Sequence, residues 1–113
     1  MNTTLNKLEI KFLHDQMSYR RAWFVNLLGY YNENNKVIET STQYINKIDY
    51  ILEKITNGMS FSEEEKDFIF HQLLERKVYL INLYRVKQDD EKKAVELKNT
   101  LESLDILLEK MFA

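Results

Sequence analysis

Apolar residues recur at alternating steps of three and four along most of this chain, the spacing that holds one side of an α-helix against a neighbour. Leu5, Leu8, Phe12, Leu13 and Met17 begin a first stripe. From Ala22 to Tyr31 the pattern thickens, through Ala22, Trp23, Phe24, Val25, Leu27, Leu28, Tyr30 and Tyr31, until the helix is apolar nearly all round. Such a segment is expected to be covered on more than one side. Thr3 or Thr4 is the expected N-cap, with a side-chain oxygen available to a free backbone N–H. Gly29 inside the segment predicts a close helix approach or the start of a turn.

The cluster Asn32-Glu33-Asn34-Asn35 reads as a loop, because asparagine side chains satisfy turn backbones and tolerate left-handed conformations. A second helix follows with an unbroken heptad run, Ile45, Ile48, Leu52 and Ile55. It is expected to end at Asn57-Gly58, where glycine supplies the left-handed residue beyond a helix C-terminus. Ser62 and Glu65 stand at the spacing of a reciprocal capping box, and Ser60 with Glu63 offers the same motif two residues earlier. The third helix then carries a wide apolar face through Phe68, Ile69, Leu73, Leu80, Leu83 and Tyr84.

After Tyr84 the pattern lapses. Arg85 to Lys93 contains one apolar residue, Val86, and Asp89 or Asp90 is the expected N-cap of a fourth helix with the heptad positions Ala94, Leu97, Leu101, Leu104, Leu108 and Met111. No glycine or proline marks the lapse, so a continuous helix from Ser62 to Phe112 is the alternative. That helix would be ~75 Å long and would need a second copy to cover its seam. The hairpin is preferred, because a nearly all-polar stretch suits a solvated turn. The fold expected is all-α: one helical domain over residues 1–113, a small antiparallel bundle with coiled-coil-like packing, of four helices or of three with a long C-terminal one.

Composition narrows the function by exclusion. The 16 basic and 18 acidic side chains are dispersed and sum to a charge of −2, so nucleic acid is not an expected partner. The tight acidic run Glu63 to Glu65 fits the first turn of a helix better than a nucleic-acid mimic, and it would repel phosphate from a helix-turn-helix reading of the Gly58 region. Without cysteine there are no disulfides, thiolate metal sites or cysteine nucleophiles, and a reducing cytoplasm is the simplest location. No segment approaches the ~20 apolar residues of a membrane span. Residue usage leans to Asn, Ile, Lys, Tyr and Glu, as in proteins of AT-rich genomes, including low-GC bacteria and their phages.

The chemistry expected of these residues is correspondingly small. His14 and His71 each have a carboxylate nearby in sequence, but the residues three before them are Lys11 and Phe68, so the Glu-x-x-His pairs of di-iron bundles are absent, and so is His-Glu-x-x-His. No Gly-x-Ser-x-Gly or phosphate-cradling glycine loop is present. The expectation is a protein that is not an enzyme and uses no metal or cofactor.

Tyr19-Arg20-Arg21-Ala22-Trp23-Phe24 contains the sole tryptophan and half the arginines, the residue types that carry most binding energy at protein interfaces. Phe12, Tyr19, Trp23 and Tyr30 lie on one stripe; Leu13, Met17, Phe24, Leu28 and Tyr31 lie on the next. A bundle core can absorb the second and leave the first for a partner. The leading expectation is therefore a small cytoplasmic binding module, of inhibitor, anti-defence, antitoxin or immunity type, that contacts another protein through Tyr19, Arg20, Trp23 and Tyr30. The alternative is a structural protein that works as a homodimer or larger oligomer, with Leu97, Leu101, Leu104 and Leu108 facing another copy.

Overall fold

The computed structural model describes residues 5–112, and they form four helices: α1 (Lys7–Tyr30), α2 (Asn35–Thr56), α3 (Glu63–Val86) and α4 (Glu91–Phe112). Short turns join α1 to α2 and α3 to α4, so each pair is an antiparallel hairpin. The lapse after Tyr84 is a turn and not a continuous helix. Asp90 accepts the backbone N–H of Lys93 at 3.1 Å and starts α4 afresh, as Asn34 accepts those of Lys36 and Val37 to start α2.

Local chemistry explains the remaining boundaries. Helix α1 starts later than Thr3 or Thr4, which lie outside the described residues, because Asn6 makes its own capping box: its side chain accepts the Glu9 N–H at 2.8 Å and the Glu9 carboxylate accepts the Asn6 N–H at 2.9 Å. Ser62 and Glu65 repeat that box before α3, in preference to the register of Ser60 and Glu63. After α2, Gly58 takes φ +66° and lets the Met59 N–H reach back to the Lys54 carbonyl at 2.9 Å. Gly29 has neither of its expected roles. It is helical, and a Cβ built there would meet nothing within 4 Å.

The core draws on all four helices, with Leu13, Met17, Ile48, Ile69, Leu73 and Leu104 wholly buried. The heptad positions of α2 and α4 serve this core. Leu97 and Leu104 are buried, Leu101 and Leu108 pack against the core, and all four face their own chain. The envelope measures 39 × 39 × 21 Å. A 24-residue helix is about 36 Å long, so helix length runs along both wide directions and the hairpins lie across one another, two layers deep.

The two hairpins also repeat one layout. Both helices of the second begin and end 56 positions after their counterparts in the first, Lys7 to Glu63 and Phe112 from Thr56. Buried positions follow the same step: Leu13 with Ile69, Met17 with Leu73, Ile48 with Leu104, Ile51 with Leu107. Ion pairs within the hairpins repeat too, Arg21 with Asp49 at 2.6 Å and Lys77 with Asp105 at 2.6 Å. Between hairpins the pairs are reciprocal: Lys54 of the first holds Glu65 of the second at 2.7 Å, and Lys110 of the second holds Glu9 of the first at 2.6 Å. Reciprocity of this kind is the property of a two-fold axis, so the chain is a pseudo-symmetric pair of hairpins joined through Asn57–Ser62.

Candidate functional site

At the crossing of α1 and α3 the axis runs through a polar and aromatic cluster. Arg20 Nε donates to Gln72 Oε1 at 2.9 Å, and Arg76 Nε donates to Gln16 Oε1 at 3.0 Å. Gln16, Arg20 and Gln72 are buried. The guanidinium of Arg20 sits 5.1 Å from the Phe24 ring and 5.8 Å from that of Trp23; Arg76 sits 4.3 Å from Tyr19 and 5.3 Å from Tyr79. Trp23 and Tyr79, equivalent by the pseudo-symmetry, meet edge to face at 6.0 Å.

Electrostatics set these arginines apart from the other paired cations. Among the described residues neither Arg20 nor Arg76 forms an ion pair, whereas Arg21, Lys54, Lys77 and Lys110 each hold a carboxylate within 2.7 Å. Burial pushes both guanidiniums below their ordinary pKa; Glu75 acts back on Arg20 from beyond ion-pair distance, and Arg76 repels it. Arginine remains cationic at neutral pH regardless. Two partly desolvated positive charges thus lie side by side under aromatic rings, with a cleft of about 170 Å³ between them lined by Tyr19, Arg20, Ala22, Trp23, Asn26, Arg76 and Tyr79.

Of the residues expected to bind a partner, the structure brings Tyr19, Arg20 and Trp23 together and leaves Tyr30 apart, near the far end of α1 and 85% exposed. Tyr19 and Trp23 are roughly half exposed; Arg20 is 7% exposed and braces α3. The coverage expected of Ala22 to Tyr31 on several sides does not occur. Phe24 is buried and Leu27 and Leu28 touch the core, but Val25, Tyr30 and Tyr31 face solvent, because α3 meets α1 nearer its middle, between Gln16 and Trp23.

Hydrophobic periodicity does not single out Gln16, Gln72, Arg76 or Tyr79. The signal that finds them is Gln-x-x-x-Arg, present at 16–20 and again at 72–76, each followed three residues later by an aromatic ring. Elsewhere, His71 lies 3.5 Å from Asp67 on an exposed surface, and among the described residues no group of three or more acidic, histidine or cysteine side chains is placed to hold a metal ion. No described helix is long and apolar enough to cross a membrane. Compared with protein-family models, curated proteins and solved structures, the chain matches none.

Proposed function

We propose that this chain acts by contact, as a protein-binding module of the inhibitor, antitoxin or immunity type, through the face where α1 crosses α3. One observation carries the reading: the half-exposed rings of Tyr19, Trp23 and Tyr79 stand over two partly desolvated arginines that have no ion-pair partner among the described residues. Large aromatic rings and arginine combine apolar area with a polar handle, and they dominate binding where they cluster around one centre. The apolar cleft between α2 and α3 is a weaker candidate, since Glu65, which lines it, is already held by Lys54.

The test is capture of the partner by the tagged chain from a low-GC bacterial lysate, with the mass of the eluted complex measured by light scattering. Trp23→Ala and Tyr79→Ala should abolish capture of a stoichiometric partner while the chain stays folded, because both rings are more than two-fifths exposed. Capture that survives both changes places the interface elsewhere. Recovery of a defined oligomer of the chain alone favours the structural role.

A further inference from the structure

The charge at the pseudo-two-fold axis specifies the partner's chemistry. We propose that the cleft between Arg20 and Arg76 receives one carboxylate side chain from an acidic segment of the partner protein, flanked by apolar residues that rest on Trp23 and Tyr79. The proposal rests on the protein-binding reading above and gives it a ligand.

Three observations lead to it. First, the cross-brace uses one donor of each guanidinium, its Nε–H, on an uncharged glutamine, and an arginine has five N–H donors. The remaining donors and both full charges are left for an oxyanion, which arginine takes in a planar fork. Second, of the cations that recur at the 56-residue step, Lys54 and Lys110, and Arg21 and Lys77, each have a carboxylate, and Lys36 and Lys92 stand exposed at the starts of α2 and α4. Among the described residues only the pair on the axis is withdrawn from solvent without a carboxylate, and it is the pair beside exposed aromatic rings. Third, a cleft of about 170 Å³ is small beside the ~300–1,000 Å³ of sites for drug-sized molecules and suits a single side chain.

The surroundings favour a lone carboxylate over a phosphate chain. Asp15 and Glu96 line the adjoining cleft with Arg76 and Tyr79, and Glu75 acts on Arg20 from its exposed position on α3. A polyphosphate or nucleic acid brings several charges into reach of those carboxylates, whereas an acidic residue between apolar neighbours brings one.

Trp23 is the only tryptophan, so its fluorescence in the full chain reports on this cleft without a label. The probes are the capped peptide Leu-Glu-Leu, its Leu-Gln-Leu counterpart and inorganic phosphate. The glutamate peptide should change Trp23 emission saturably and weaken as salt rises; the glutamine peptide, and the glutamate peptide on Arg76→Gln, should bind about tenfold more weakly or worse, the effect of losing one hydrogen bond between charged groups. In parallel, the side-chain N–H resonances of Arg20 and Arg76 in the unaltered chain should shift with the glutamate peptide, a readout that needs no variant to fold. Equal binding of the two peptides, no saturable change, or unmoved arginine resonances overturn the proposal. Tighter binding of phosphate than of the glutamate peptide overturns the carboxylate assignment. A partner captured through Trp23 but indifferent to Arg76→Gln leaves the protein-binding reading standing and removes this one.

Discussion

Arg20 and Gln72, 52 positions apart in the chain, are joined by a buried hydrogen bond of 2.9 Å across the helix crossing, and Arg76 returns the same bond to Gln16 at 3.0 Å. Packing alone lets two apolar helix faces slide in register; a polar pair made twice, once buried and once part-buried, penalises every register but one. The brace is therefore expected to select the arrangement of the hairpins as well as to stabilise it.

Removing one side of the brace leaves the other buried without a partner. Gln72→Ala should lower stability by about 1–3 kcal/mol, measured by urea unfolding. Replacing both partners, Arg20→Met with Gln72→Leu, should recover part of that loss. A double variant less stable than Gln72→Ala would mean that the arginine earns its place through its contacts with Trp23 and Phe24 instead.

Acid should loosen the contact between hairpins at two equivalent places. The Glu9 carboxylate is held below its ordinary pKa by the Asn6 N–H and Lys110, and that of Glu65 by Lys54 and the Ser62 N–H. A carboxylate whose pKa is depressed in the folded state stabilises the fold above its unfolded value, near 4.5, and that contribution fades as pH falls through the folded value. The melting temperature should hold above pH 5 and fall below about 4.5. The double variant Glu9→Gln, Glu65→Gln should start lower at neutral pH and show a shallower acid limb; an unchanged limb would assign the loss to other carboxylates.

The two glycines should respond with opposite sign. Gly58→Ala forces a side chain into φ +66° and should cost about 1–2 kcal/mol. Gly29→Ala meets open space inside α1 and should stabilise by up to about 1 kcal/mol. Thermal melts of the two variants settle both signs.

Pseudo-symmetry makes a prediction about connectivity. Lys110 holds Glu9 as Lys54 holds Glu65, so the end of α4 lies by the start of α1 as the end of α2 lies by the start of α3. A circular permutant that joins Ala113 to Met1 through a short flexible linker and opens the chain in the exposed turn at Met59 should fold with the same far-UV circular dichroism and lose little stability. Failure of that permutant to fold would show that the Asn57–Ser62 connection is needed for more than joining the halves.

How far the sequence carries can be judged from particular residues. The capping box of Ser62 and Glu65, the stop at Gly58 and the turn before Asp90 are local: each depends on side chains and backbone within a few residues, and each is legible where it stands. Helix existence and the inward faces of α2 and α4 follow for the same reason, since a three-and-four spacing has one geometric meaning. The start of α1 is less legible because Asn6 and two threonines are all N-cap types, and only Asn6 has a glutamate three residues on.

The tertiary structure alone decided the rest. Whether a helix apolar all round is covered depends on where its neighbours cross it, which no spacing along one helix encodes; hence Phe24 is buried while Val25 and Tyr30 are open. Arg20 and Arg76 are ordinary surface types in sequence and become a paired site because the two-fold relation of the hairpins brings Gln-x-x-x-Arg against its own repeat. Periodicity fixes which side of each helix avoids water; which polar groups meet across a crossing is settled by the packing of one helix pair on the other.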